Sequence, residues 1–464
     1  MSVDVYVCLV FTGQFRRSEI VSQRWSPGPL PLAIPITEAT QSRVGHSALT
    51  DREARQGYFA ERVLSVLYGP QTQDETSTTR WHTQVEQNDV NEFGGALVDA
   101  WEVLEGLGDG MCLAVAHVQL AGDPVRTLAA LTARKGPGRA WIESTLPAPA
   151  ALQDQRPQLV AHLMWEGDAL EEQPDTPEVR EALGGWSAVE RWQWFLASGV
   201  SPEEVLPDPE APDIFAGTVR LSRDWRALVL RDGIAYVAQT PRNPVDSAIR
   251  SYSFHDLARI YVRSIHLDVL LLGLIQVDAV HRYADAVARL RVGQMEPVAI
   301  ELLEAQLLEL RLGVWWDDVT NRGRQTSEVL AAFQRQHRLP ELYTKIVETL
   351  SDASRYIAAR EAAASEAERK AKEERQQADE AARQEDEARR QELDRAIALI
   401  SFILLPTSVI FGSAALWADP SHKLFAVSLG FSALFIGIIL IASPNLRAAL
   451  KGHDGESGKR RRNN

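Results

Sequence analysis

Residues 398–418 read ALISFILLPTSVIFGSAALWA, and with Ala396 and Ile397 before them they make a run of 23 residues without a charge. A second uncharged run of 23, Leu424 to Leu446, follows after only Asp419-Pro420-Ser421-His422-Lys423. A hydrocarbon core about 30 Å thick takes about 20 apolar residues at helical rise, so each run is long enough to cross a bilayer. So short a link, with aspartate and proline for a tight turn, folds the two runs into an antiparallel hairpin. Both flanks of the hairpin then lie on one side. Arg447, Lys451 and Lys459-Arg460-Arg461-Arg462 follow the second run, against a single lysine in the loop. The positive-inside bias puts the large N-terminal part and the tail in the cytoplasm. The expected localisation is the cell membrane, with two spans and both termini cytoplasmic.

The 464-residue chain is 45% hydrophobic, which suffices for two or three domains with a globular core. Lysine and arginine number 49 against 63 acidic residues, a net charge of −14 that argues against nucleic acid as a partner. Cys8 and Cys112 are the only cysteines and stand far apart, so neither a disulfide framework nor a cysteine metal site is expected, as suits a reducing cytoplasm. Met1-Ser2-Val3-Asp4-Val5 has no basic stretch and no long apolar run behind it, so no signal peptide is expected and insertion rests on the hairpin.

Taken in order, Val3 to Phe11 (VDVYVCLVF) has the composition and length of a buried strand. Thr50-Asp51-Arg52-Glu53 has capping-box spacing, with Phe59, Val63, Leu64 and Leu67 as the helical stripe behind it. Thr79 to Glu86 alternates as a strand, Gly94 to Leu107 reads as a helix, and Met111 to Leu120 as a strand. A helix over Pro124 to Arg134, a strand over Leu159 to Trp165 and a helix over Ser187 to Leu196 follow. Trp225 to Leu230 and Ile234 to Ala238 form a hairpin on Asp232-Gly233, a pair suited to positive φ. Beyond Phe254 the chain reads as helical. Leu267 to Leu290 contains LDVLLLGLIQVDAV, but Asp268, Gln276 and Asp278 interrupt it, so it reads as a buried helix of a soluble domain. Glu301 to Leu312 and Ser327 to His337 are shorter helices, and Pro340 opens the last one. The expected fold class is α+β/α: an α/β sandwich over 1–245, a helical bundle over 246–339, a stalk helix over 340–395, spans over 396–418 and 424–446, and a basic tail over 447–464.

The stalk, Arg355 to Arg395, is built of Ala, Glu, Arg, Gln and Lys with neither Gly nor Pro, all strong helix formers. Ala364, Ala371 and Ala378 recur at seven, and Ala367, Ala381 and Ala388 follow a companion series, interrupted by Glu374 and Glu385. A solvated single helix held by i,i+4 charge pairs and a stalk that packs on copies of itself both fit this pattern.

Residues able to carry chemistry are few. Neither a Walker-A loop, HExxH nor GxSxG occurs. Gly106-Leu107-Gly108-Asp109-Gly110 precedes a strand rather than opening a helix, so it reads as a turn and not a phosphate cradle. Asp278 and His281 lie three apart, a spacing that two metal ligands could share but that suits a packed pair better. Trp315-Trp316 reads as packing at a helix end, and Asp317-Asp318 as caps of the next turn rather than a cation site. No catalytic residue, cofactor or metal site is assigned, and an enzyme is not expected. In the first span, Ser401, Leu405, Ser408, Gly412 and Ala415 follow one another at alternating four- and three-residue steps. A stripe of small and hydroxyl-bearing residues suits close helix packing or the wall of a narrow pore. That stripe is rotated well over 90° from the alanine seam at about 100° per residue, with Pro406 as the available kink.

A cytoplasmic α/β domain, a long stalk and two C-terminal spans resemble the CorA-like membrane transporters. The specific part is Pro406-Thr407-Ser408-Val409-Ile410-Phe411-Gly412, where a proline precedes a glycine by six positions as in that family. The family's Gly-Met-Asn signature, which receives a hydrated divalent cation, is replaced here by Ala415-Leu416-Trp417. A second resemblance covers roughly Tyr261 to Ile357, through LDVLLLGLIQVDAV, LLEAQLLELRLGVWWDDVTNRG and FQRQHRLPELY. These segments look like the CATRA-type branch of bacterial conflict (defence) systems, which implies caspase-like or tetratricopeptide proteins as partners. The resemblances together imply a homo-oligomeric membrane effector or gated pore with a cytoplasmic sensing domain, its partners being the lipid membrane and copies of itself. A divalent-cation transporter, with inorganic cations as cargo, and a membrane-anchored scaffold are the alternatives.

Overall fold

The computed structural model describes residues 3–16, 24–32, 55–70, 78–85, 92–170, 176–211, 213–242, 254–291 and 296–417. Residues 1–359 form one compact unit and residues 360–464 a second.

The first unit is built on a ten-stranded mixed sheet. Its strands are β1 (Val3–Phe15), β2 (Ser26–Pro27), β3 (Arg80–Gln84), β4 (Ala96–Glu105), β5 (Met111–Leu120), β6 (Ala150–Leu152), β7 (Gln158–Trp165), β8 (Thr218–Arg220), β9 (Trp225–Val229) and β10 (Gly233–Ala238). They lie in the order β2-β3-β4-β5-β1-β7-β10-β9-β8, with β6 on the end of β1. Among the described residues only β7 and β10 pair in parallel; the other ladders are antiparallel. β1 is apolar at nearly every position because both its faces are covered: Val5, Val7, Leu9 and Phe11 enter one core, Cys8 and Val10 the other.

The helices are α1 (Glu61–Tyr68), α2 (Pro124–Thr132), α3 (Pro137–Ser144), α4 (Pro177–Ala182), α5 (Ala188–Ser198), α6 (Phe254–Tyr261), α7 (Leu267–Ala288), α8 (Pro297–Gly313), α9 (Gln325–Gln336) and α10 (Leu339–Trp417). One sheet face packs on α2 to α5 through Leu128, Ile142, Val179, Trp192 and Phe195. Ser187 starts α5 with a reciprocal capping box to Glu190, and Gly199 ends it at φ 62°. The other face packs on α1, α7 and α9 through Val63, Leu67, Leu271, Leu330 and Phe333. The first unit is therefore a three-layer α/β/α sandwich, as the alternation of strands and helices suggests. At the α7–α9 crossing Gly273 admits the Phe333 ring; a Cβ there would sit 2.5 Å from its Cδ1. A third core joins the end of α7 (Val280, Tyr283), α8 (Ile300, Leu303) and the start of α10 (Ile346, Leu350, Ile357). The boundary expected near residue 245 falls among residues outside the description, and the chain on both sides of it belongs to the same compact unit.

Two expectations are corrected. Residues 94–107 do not form a helix; they hold strand β4. Ala96 and Val98, then Trp101 and Val103, face one core, and the ladder register shifts between Val98 and Ala100. This bulge inserts one residue into a two-residue period, and the resulting spacing of three across Asp99 imitates a helical stripe. The β9–β10 hairpin forms as expected, Leu230 N donating to Gly233 O at 2.8 Å, but Gly233 is not among the glycines of positive φ. Its glycine serves close approach instead: a Cβ would lie 2.5 Å from Leu159 Cγ across the parallel pair.

Other expected elements stand where the pattern placed them. β3, β5 and β7 occupy the strands expected over Thr79 to Glu86, Met111 to Leu120 and Leu159 to Trp165, and α2, α5, α8 and α9 the corresponding helices. The capping box at Thr50 lies outside the described residues; α1 itself starts at Glu61 after Ala60. Leu257–Ala288 is long and apolar enough to cross a membrane, but 78% of its apolar window is buried within the protein. It is a core helix passing a length test.

The second unit, among its described residues, is the helix α10 beyond residue 359. Its side chains stand exposed along the stalk, with ion pairs Glu366–Lys370 at 2.9 Å and Arg369–Glu373 at 3.5 Å. The helix continues through Pro406 to Trp417. Proline leaves the Phe402 carbonyl without its helical donor. The Thr407 hydroxyl bonds the Ile403 carbonyl at 2.7 Å. Residues 418–464, with the second span, the link and the basic tail, lie outside the described residues.

Candidate functional site

β3, β4, β5 and β1 bring Arg80, Glu102, His117 and Cys8 onto the sheet face that carries α7. From above, α7 adds Asp268, α1 adds Tyr68, and the turn before α1 adds Arg55. Arg55, Arg80, His117 and Asp268 are 0% exposed and Glu102 is 1% exposed. Two guanidinium groups and two carboxylates therefore meet away from bulk solvent. Arg80 Nε donates to Glu102 Oε2 at 2.6 Å and its Nη1 to Asp268 Oδ1 at 2.5 Å. Arg55 Nη1 reaches both Asp268 oxygens at 3.4 Å, and its Nη2 donates to Leu30 O at 2.8 Å. Tyr68 donates to Asp268 Oδ2 at 2.6 Å.

The electrostatics are self-consistent. Burial opposes the charge on Arg80, but Asp268 and Glu102 hold it protonated more firmly than an ordinary arginine. Burial would raise the Glu102 carboxyl, yet Arg80 and the bond from His117 hold it well below the usual range. Burial, then the Asp268 charge, pushes the Tyr68 hydroxyl up, so it remains a donor. Burial lowers His117 despite Glu102, which keeps the imidazole neutral. Its tautomer follows from its partners: Glu102 Oε1, 2.8 Å from Nε2, can only accept, so Nε2 carries the proton. Nδ1 is then free to accept from the Cys8 thiol at 3.5 Å.

Cysteine, imidazole and carboxylate in line have the connectivity of a nucleophile, base and orienting group. The environment removes the reactivity. Cys8 is 1% exposed and burial pushes its thiol up to about 12. The network reads as a clamp fastening α7 to the sheet. Both cysteines are therefore expected to resist a thiol-disulfide reagent at pH 8 at least about 1,000-fold more than free cysteine, and to react on denaturation. Fast native labelling of Cys8 would restore the nucleophile reading.

The clamp was missed at the level of sequence; its one trace is Asp268, a charge inside an apolar run, which burial tolerates only when paired. The residues singled out from sequence lie elsewhere. Ser401, Leu405, Ser408, Gly412 and Ala415 all fall within α10, on one continuous helix with Pro406. Asp278 binds Arg282 at 2.8 Å, and His281 is exposed. No group of three metal-ligating side chains occurs among the described residues. Trp315 stacks on Tyr343 at 4.7 Å and Trp316 is buried, which is packing. Asp317 and Asp318 border an open surface cavity of about 490 Å³ with Asn321, Arg322 and Arg324. There Asp318 accepts from the Ser327 hydroxyl, whose bond first of all lowers its carboxyl, and from Thr320 N at 3.4 Å, as a turn cap does. Gly106 to Gly110 close the β4–β5 connection through a 3-10 turn at Gly108–Gly110.

No protein-family model, curated protein or solved structure matches this chain. The functional reading therefore rests on the geometry of its own residues.

Proposed function

We propose that this chain is a homo-oligomeric, CorA-like membrane protein, a gated pore or membrane effector of a bacterial conflict system. In this reading residues 1–359 are its cytoplasmic sensing unit and residues 396–446 its two-span hairpin. The observation that carries the reading is the end of α10. From Ala396 to Trp417 the helix has no charge, and Ile397, Phe402 and Ile410 are 55%, 79% and 63% exposed. The other helix apolar enough to span, Leu257–Ala288, is covered by protein instead. An uncharged helix end of this length that exposes such apolar side chains needs lipid or other spans around it.

Within the pore reading, Ser401, Leu405, Ser408, Gly412 and Ala415 face the axis. Selectivity then comes from hydroxyls, backbone carbonyls and width, since the span offers no charge. Ala415-Leu416-Trp417 in place of Gly-Met-Asn favours an effector over a magnesium transporter. The test is single-channel conductance of the purified full chain in a planar bilayer. Wild type is expected to conduct and Ser408→Trp to lose at least about 90% of unitary conductance, a bulky ring closing a narrow path. Equal conductance would take Ser408 off the axis. Silence of both, together with retained cellular function after exchange of the hairpin for an unrelated two-span anchor, would make the chain a tethered scaffold. Mg²⁺ or Co²⁺ flux into liposomes above empty vesicles would instead favour cation transport.

A further inference from the structure

On the same sheet face as the ionic clamp, on the far side of β1, lies a second buried polar cluster. His162 of β7 stands opposite Tyr236 of β10 in the parallel ladder. Trp225 of β9 lies beside them. Over them sits a π-helical turn, Val262–His266, between α6 and α7. The His266 ring is 4.6 Å from Tyr236 and 5.2 Å from Trp225, and Trp225 is 6.2 Å from His162, edge-on. All four side chains are more than nine-tenths buried. Among the described residues, both ring nitrogens of His162, Nδ1 of His266, the Tyr236 hydroxyl and Trp225 Nε1 have no hydrogen-bond partner.

We propose that His162 and His266 form a proton-operated catch, which holds the turn Val262–His266 on the sheet while both are neutral and releases it when they take up protons.

The surroundings decide the direction. From α6, His255 and Arg259 face His162 and act against its charge, as does His266. From β1, the Tyr6 ring lies under Arg259 at 5.0 Å and under Arg263 of the turn at 5.2 Å. Arg263 is engaged by Asp99 of β4 at 3.0 Å. Tyr236 and Tyr6 are both pushed up by burial and stay neutral. No carboxylate acts on either imidazole among the described residues, whereas His117 in the clamp has Glu102. Burial, then His255, Arg259 and His266, pushes His162 down to about 3, and burial pushes His266 down to about 3.

A group whose closed-state value is depressed binds its proton in the open state first. The closed form is thus favoured fully above the ordinary imidazole range near pH 6.5 and loses ground steadily as the pH falls towards 3. Each pH unit below about 6.5 multiplies the opening equilibrium about tenfold per histidine. A π turn, seldom adopted for long, is a suitable hinge. Asp268, two residues past His266 and tied to Arg55, Arg80 and Tyr68, sets the C-terminal limit of the release.

The test is hydrogen–deuterium exchange of the full chain in detergent at pH 7.5 and 5.5, corrected for intrinsic exchange. Protection of amides 258–267 is expected to fall about 100-fold for the two histidines together. Protection of α5, on the opposite face and without histidine, should change less than about threefold. In His162→Phe/His266→Phe, and separately in His162→Gln/His266→Gln, the fall over 258–267 should vanish. A wild-type segment indifferent to pH would overturn the proposal without any variant. An equal loss in α5, or the same fall in the variants, would also overturn it.

Discussion

Asp268→Asn is expected to lower the stability of the first unit by about 3–5 kcal/mol, the cost of breaking a fully buried ion pair from one side. The amide matches the carboxylate in shape, so the loss is not one of packing. Asp268 accepts from Arg55, Arg80 and Tyr68 at once. Without its charge, two guanidinium groups that are 0% exposed share the single carboxylate of Glu102, and an amide N–H₂ is turned towards a donor. The measurement is urea unfolding of the full chain in detergent, followed by intrinsic fluorescence. Eleven of the twelve tryptophans lie within residues 1–359, so the signal reports the sheet unit and not the span. A change below about 1 kcal/mol would mean that water reaches the network and that α7 is held by apolar packing alone. A further arm separates charge from burial: joint replacement of Asp268, Arg55 and Arg80 by well-packed apolar residues should cost less than Asp268→Asn alone, because no orphaned charge is left.

Which parts of this architecture are legible in the sequence follows from what each element's environment does to its pattern. β1, β5 and β7 are covered on both faces, so their sequences are predominantly apolar over strand length and announce themselves. α5 carries its own start and stop in Ser187, Glu190 and Gly199. α10 declares itself by composition, without Gly or Pro from residue 341 to residue 405. β4 is hidden because a bulge makes its inward residues recur at two, three and two, and only the cross-strand ladder reveals the extra residue. Gly233 is conspicuous beside Asp232, but its purpose is contact with Leu159, which lies 74 positions earlier. The clamp is illegible for the same reason. Arg55, Arg80, Glu102, His117 and Asp268 are spread over 214 positions, and each taken singly reads as a surface charge or an interruption. Asp268 did argue correctly against a membrane span in α7. What it could not disclose was the pair of arginines that permits it there.

Trp101→Ala is expected to cost about 3–5 kcal/mol, the range for removing a fully buried large aromatic side chain. Trp101 is 0% exposed and sits on β4 between Thr83 of β3 and Ala116 of β5, small neighbours that leave the ring its room. Its ring lies 6.1 Å from that of Phe11, and its Nε1 donates to the Thr145 hydroxyl at 3.1 Å. That hydroxyl in turn donates to Ile142 O at 2.8 Å, closing the end of α3 over the strand. Truncation therefore opens a cavity where β4, β1 and α3 meet, and the surrounding sheet cannot collapse into it without breaking ladders. Trp101→Phe should cost less, about 1–2 kcal/mol, since it keeps most of the packing and leaves Thr145 with its own acceptor. Trp315→Ala, removing a half-buried ring stacked on Tyr343, should cost about 1 kcal/mol. The order matters more than the absolute values, and urea midpoints read by far-ultraviolet circular dichroism give it without dependence on the tryptophan removed. It also decides between the two readings of residues 94–107. On an amphipathic surface helix, Trp101 would share its stripe with Leu97 and Leu104 and keep an exposed edge, and its truncation would resemble that of Trp315. In a bulged strand inside a sandwich it is enclosed from both sides, and the loss must be several times larger.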